Sequence, residues 1–156
     1  MTYKKRKEIE KKIGKSLRGF TKFQMSEIRA GFEWGLSIEQ LKLYIKPKFD
    51  EYQMAEIRWG FYNNLTMEQV KFYAKKGFNG DQMKQIRMGF LNGLTLEEIK
   101  TYANLKYYEL EMKQIRKGFV QGLTLAQIKT YAKPDWDWGR MYDAREALLE
   151  KKEGKK

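Results

Sequence analysis

Apolar residues recur along the chain with two nested periods. Met25, Ile28 and Phe32 lie at i, i+3 and i+7, one face of a helix. The same triplet returns as Met54, Ile57 and Phe61, as Met83, Ile86 and Phe90, and as Met112, Ile115 and Phe119, at steps of 29 residues. Met141 opens a fifth, degenerate copy, RMYDAREAL, after QMSEIRAGF, QMAEIRWGF, QMKQIRMGF and EMKQIRKGF. A second apolar pattern follows each first one in GLSIEQLKLY, NLTMEQVKFY, GLTLEEIKTY and GLTLAQIKTY. Self-similarity at a period of this size is the signature of a repeat architecture.

The polar positions punctuate each unit. Thr21, Asp50, Asn79 and Asp137 stand where a first helix needs an N-cap, and Gln24, Gln53 and Gln82 follow the first three at capping-box spacing. Tyr108 lacks a capping side chain, so the fourth unit is expected to enter its helix less crisply. Gly35, Asn64, Gly93 and Gly122 are residue types that tolerate the left-handed conformation ending a helix. Ser37, Thr66, Thr95 and Thr124 then begin a second helix, again with Glu or Gln three residues on, and a leucine before each cap supplies a hydrophobic staple. Pro47 and Pro134 are expected to stop the second helix in two units. Each unit reads as a helix, a tight turn and a shorter helix.

Helices this short do not persist alone in water, so neighbouring units must supply the burial. The expected fold is all-α, an α-solenoid of four 29-residue helical-hairpin repeats over residues 21–136 with capping helices at both ends. Residues 1–20 read as a basic N-terminal capping helix, with Ile9, Ile13 and Leu17 on one face across 3–19. Residues 137–152 repeat the first helix as a C-terminal cap, with Ala144 for Ile and Ala147 for Gly, and 153–156 form a solvated tail. No linker interrupts the pattern, so 1–156 is expected to be one domain. Phe20, Phe49, Phe78, Tyr107 and Trp136 share one phase and read as wedges between units. Gly31, Gly60, Gly89 and Gly118, inside the first helices, imply close helix approach.

The motif Gln-Met-x-x-Ile-Arg-x-Gly, the Gly-Leu-Ser/Thr turn and the Lys-x-Tyr-Ala end resemble the helical-hairpin repeats of uncharacterised proteins from bacteriophages and conjugative mobile elements. Gln53, Met54, Ile57, Arg58, Gly60, Leu65 and Tyr73 carry the resemblance, which covers roughly residues 21–148. Leucine follows the glycine more often in those repeats, where this chain has Phe32, Phe61, Phe90 and Phe119. The resemblance implies a mobile-element origin, a setting in which small proteins often counter host defence. It therefore points to an anti-CRISPR-like inhibitor of a host defence nuclease or nucleoprotein, acting by protein–protein contact.

Composition narrows the chemistry. With neither His nor Cys in 156 residues, Cys/His zinc sites, disulfides, Cys nucleophiles and Ser-His-Asp chemistry lack their essential atoms. There is no P-loop, dinucleotide turn or metal-ligand cluster, so the chain reads as non-enzymatic, without a cofactor or metal. No apolar run suits a bilayer crossing, and the Lys-rich start has no apolar stretch after it, so no membrane partner or secretory signal is expected and the default location is cytoplasmic. Lys and Arg number 32 against 20 Asp and Glu, a net charge of +12. Residues 1–22 hold nine basic residues against two acidic ones, and this balance disfavours an acidic mimic of DNA.

Two surfaces are candidates. Trp34, Leu43, Trp59, Tyr62, Phe72 and Met88 lie off the core stripe at positions where the fourth unit is mostly polar, and an exposed apolar patch of this kind marks a partner interface or a self-association contact. The alternative is a nucleic-acid-binding accessory protein that uses Lys4, Lys5, Arg6, Lys7, Lys11, Lys12, Lys15 and Arg18 with the repeated Arg29, Arg58, Arg87 and Arg116. The N-terminal charges read equally as a solvated cap. For the arginine series, including Arg145, the architectural reading is the stronger, with stems covering the core and guanidinium groups holding neighbouring helix ends. Lys42, Lys71, Lys100 and Lys129 read as a solvated face near helix C-termini.

Overall fold

The local caps decide where each helix starts. The computed structural model describes residues 1–154, and among them there are ten helices and no strand. These are α1 (Tyr3–Ile13), α2 (Lys22–Glu33), α3 (Ile38–Tyr44), α4 (Glu51–Tyr62), α5 (Met67–Tyr73), α6 (Gly80–Leu91), α7 (Leu96–Tyr102), α8 (Glu109–Val120), α9 (Leu125–Lys129) and α10 (Trp138–Gly154). Full capping boxes open α2, α3, α4, α5, α7 and α9. Asn79 and Gln82 exchange the same pair of bonds before α6. Asp137 caps α10 through the Arg140 N–H, while Tyr108 makes no side-chain cap to α8. Gly35, Asn64, Gly93 and Gly122 follow the first helices at φ of 76°, 63°, 76° and 83°, the left-handed turn that a Cβ-bearing residue other than Asn or Asp rarely adopts.

Helix ends depart from expectation in three places. Proline is not what stops the second helices: α3, α5 and α7 end at equivalent tyrosines whether or not Pro follows. Ile45, Ala74 and Ala103 adopt φ near −70° with ψ of 72°, 63° and 67°. Lys46, Lys75 and Asn104 then donate their N–H to the carbonyls of Tyr44, Tyr73 and Tyr102 at 2.7 Å, an inverse γ-turn in every case. The N-terminal cap is shorter than residues 3–19, because Gly14 at φ 68° ends α1. Leu17 still reaches the core, from a loop: its N–H donates to the Glu10 carboxylate at 2.8 Å. That bond, with Lys7 and Arg6, pulls the Glu10 pKa down to about 2. Glu153 and Gly154, expected in a solvated tail, complete the last turn of α10; Lys155 and Lys156 lie outside the described residues.

Two compact units divide the chain, Met1–Met83 and Lys84 onward. In the first, α1 packs on α3, and α4 packs on α2, α3 and α5. In the second, α8 packs on α7, α9 and α10. Ile28, Met54, Ile57, Leu41 and Val70 are fully buried in the first unit, and Ile86, Ile99, Met112, Ile115, Ile128 and Met141 in the second. Phe49, Phe78 and Tyr107 are buried as expected of wedges, whereas Phe20 and Trp136 are half-buried.

Within a hairpin, the helical glycine admits a tyrosine rather than a second backbone. Tyr44, Tyr73, Tyr102 and Tyr131 are all fully buried. Their hydroxyls donate to the Glu27, Glu56, Gln85 and Gln114 carbonyls at 3.0–3.1 Å. A Cβ placed on Gly31, Gly60, Gly89 or Gly118 would overlap the hydroxyl of the tyrosine in its own hairpin. Burial pushes the Tyr44, Tyr102 and Tyr131 hydroxyls up from their ordinary pKa, so they stay protonated donors. No helix of the described residues is long and apolar enough to cross a membrane.

Candidate binding site

The repeated arginine sets the geometry around it. On α4, Arg58 reaches back to Glu27 on α2, with Nε and Nη2 at 2.9 and 2.6 Å from one carboxylate oxygen. Its guanidinium carbon lies 4.2 Å from the centroid of the Trp34 ring, a cation–π distance. In the second unit, Arg116 donates to Gln85 and Asn92 side-chain oxygens, each at 3.1 Å. Arg145 donates to Gln114 at 3.3 Å and to Gln121. Each arginine thus grips the residues 31 and 24 positions before it, and in the first unit an indole stands where the later copies have an amide.

This geometry favours the architectural reading of the arginine series. Position 34 and its counterparts are not free of architectural duty, because Trp34, Asn92 and Gln121 all receive the arginine of a later helix. Arg58 and Arg116 are each 6% exposed, so neither guanidinium is presented to a phosphate. A ladder of Arg29, Arg58, Arg87 and Arg116 is therefore interrupted at two of its rungs. Arg87 is half-buried, and Arg29 is exposed and pairs with Glu33 on its own helix at 2.8 Å.

Trp34, Trp59 and Tyr62 form one cluster. Trp59 and Tyr62 share the end of α4, and Trp34 caps the end of α2 beside them. Ring centroids are 5.4 Å apart for Trp34–Trp59, 4.4 Å for Trp34–Tyr62 and 5.3 Å for Trp59–Tyr62. Despite this mutual packing, 43% of Trp34, 38% of Trp59 and 54% of Tyr62 remain exposed, so the cluster offers a preassembled aromatic surface. The other three expected interface residues take no part in these three ring contacts. Leu43 on α3 is half-buried and lines a shallow groove with Glu39, Lys42, Met67 and Lys71. Phe72 on α5 is half-buried with the Lys75 ammonium 5.1 Å above its ring, and Met88 is half-buried in the second unit.

Phe23 and Tyr52 are exposed aromatics that the patterning did not single out, at 64% and 70%. Each stands two residues after an N-cap, off the apolar stripe. That shared register was legible in the sequence as a signal of outward placement.

The basic N-terminal segment is partly engaged. Lys5 pairs with Glu8, and Arg6 and Lys7 pair with Glu10. The Lys5 and Lys12 ammonium groups lie 4.8 and 4.9 Å from the Phe32 ring centroid. Lys15 donates to the Ile45 carbonyl, which leaves Lys4, Lys11 and Arg18 exposed and outside any ion pair among the described residues. No family model, curated protein or solved structure matches the chain.

Proposed function

We propose that the chain is a non-enzymatic α-solenoid adaptor that holds a protein partner through Trp34, Trp59 and Tyr62. The observation that carries this reading is the exposed three-ring cluster, whose Trp34 also packs against the Arg58 guanidinium. Tryptophan and tyrosine are the residue types most often found as interface hot spots, and rings held in place before binding lose little entropy on docking. The 29-residue period and the recurrence of the same arginine, tyrosine and capping bonds within each unit support the solenoid. A binding rather than catalytic role fits a side-chain inventory without His or Cys. The resemblance to mobile-element repeats points to a cytoplasmic bacterial protein or nucleoprotein as partner, a host defence nuclease in the anti-CRISPR manner.

Trp59→Lys tests the reading, since Lys117 already occupies the equivalent place in the fourth repeat beside its own arginine. The variant is expected to fold as the parent does and to bind its partner at least about tenfold more weakly, a loss of about 1.4 kcal/mol. Affinity capture from bacterial lysate, with nuclease present and at raised salt, supplies the comparison. A protein retained by the parent and lost from the variant supports the aromatic face. Capture abolished by nuclease supports the nucleic-acid alternative instead, and self-association of the purified parent that Trp59→Lys abolishes makes a second copy the occupant.

A further inference from the structure

We propose that lysines gathered where α3 and α5 end form a second site, one that takes the phosphate backbone of a nucleic-acid duplex. Lys42 and Lys71 lie in the last turns of α3 and α5, Lys46 and Lys48 in the loop from α3 to α4, and Lys15 in the segment after α1. Ile13, Gly14, Lys15, Lys42, Ile45 and Lys46 line one depression. Lys42 also borders the neighbouring groove that holds Lys71, so the two form one continuous face. Glu39 is the one carboxylate among the residues lining either depression, whereas Lys48 lies outside both and lines a separate one with Asp50 and Glu51.

None of the five lysines forms an ion pair among the described residues. Lys15 donates to the Ile45 carbonyl at 3.4 Å, and Lys48 lies 5.0 Å from the Phe49 ring centroid. Placement at a helix C-terminus accounts for Lys42 and Lys71, and Lys46 is the one of the five for which neither a helix end nor such a contact accounts. Partial burial, and then the fields of Lys48, Lys15 and Lys71, lower the Lys46 pKa, so the gathered charges repel one another. A polyanion would relieve that repulsion.

The side-chain types narrow the anion. All five groups are ammonium point charges, a residue type that binds phosphate oxygens without a fixed fork geometry. No aromatic ring lines either depression, so single-stranded bases find nothing to stack on. A lysine face of this kind fits a regular phosphate backbone, contact with which positions a duplex without reading its sequence. The site shares no residue with the Trp34, Trp59 and Tyr62 cluster.

Fluorescence anisotropy of a labelled, mixed-sequence DNA duplex of about 20 base pairs, titrated with the full chain over a range of salt, tests this. The logarithm of the binding constant is expected to fall with the logarithm of salt at about 0.9 per phosphate neutralised. Combined Lys42→Gln, Lys46→Gln and Lys71→Gln should weaken binding at low salt by at least about tenfold and reduce the slope by about 2 to 3. Arginine at the same three positions should retain binding, and so should Trp59→Lys, which separates this site from the proposed protein interface. Should the triple glutamine variant lose helicity, Lys46→Gln alone decides, with an expected slope loss of about 1. Unchanged affinity and slope in the folded glutamine variant would overturn the proposal. So would absent duplex binding by the parent, or its preference for polyglutamate, single-stranded DNA or phosphatidylserine vesicles.

Discussion

Gly60→Ala is expected to destabilise the protein by about 2 kcal/mol, and adding Tyr73→Phe is expected to recover part of that loss. Alanine is the better helix former, so propensity alone would make Gly60→Ala stabilising by about 1 kcal/mol. Packing reverses the sign. The new methyl would overlap the buried Tyr73 hydroxyl and approach Val70 Cγ2 at 3.0 Å, within a hairpin where both side chains are fully buried. Overpacking of this kind costs roughly 1–3 kcal/mol, and displacing the hydroxyl also breaks its 3.0 Å bond to the Glu56 carbonyl, worth about 1 kcal/mol more. Phenylalanine removes the colliding oxygen, so the double variant should be more stable than Gly60→Ala alone. Urea denaturation of the parent, both single variants and the double variant completes the cycle. A Gly60→Ala midpoint at or above that of the parent would mean that the tyrosine does not need the glycine.

Arg58→Ala should cost about 3 kcal/mol, whereas Arg29→Ala should cost no more than about 0.5 kcal/mol. The two occupy the same place in the repeat and differ in what surrounds them. Arg58 is 6% exposed, paired with Glu27 and stacked on Trp34. Its removal strands a largely buried carboxylate and takes away the plane that holds the indole, a loss in the range for breaking a buried pair. Arg29 makes an exposed i,i+4 pair with Glu33, and such pairs contribute a few tenths of a kcal/mol. Arg58→Lys should recover little, because an ammonium keeps the charge without the planar fork or the stacking surface. Unchanged stability in Arg58→Ala together with a reduced salt slope for duplex binding would make the series a phosphate ladder after all.

Local features were legible because they are settled within about four residues. Each cap is a bond between a side chain and a backbone N–H three positions on, and each left-handed turn needs Gly or Asn at one position. The two-helix units, the weak entry at Tyr108 and the 29-residue period follow from these alone. The end of α1 was legible too, at Gly14, but the spacing of Ile9, Ile13 and Leu17 resembled a longer helix. Leu17 reaches the same core by a loop that Glu10 pins.

Long-range partners were not legible. The identity of Trp34 as Arg58's support depends on one helix packing beside another, 24 residues away in sequence, and the repeated position holds indole or amide according to neighbours no local pattern names. The tyrosine over the glycine is separated from the carbonyl it bonds by 17 residues and a turn. Ending the second helices with an inverse γ-turn likewise follows no residue type, since isoleucine or alanine serves at its centre. The chain by itself determined where helices begin, where they turn and which face is apolar, because those choices are made by nearby backbone groups seeking hydrogen-bond partners. Which arginines are buried, which rings gather at the surface and where lysines crowd were decided by tertiary structure, because burial and electrostatic field are set by atoms that packing alone brings together.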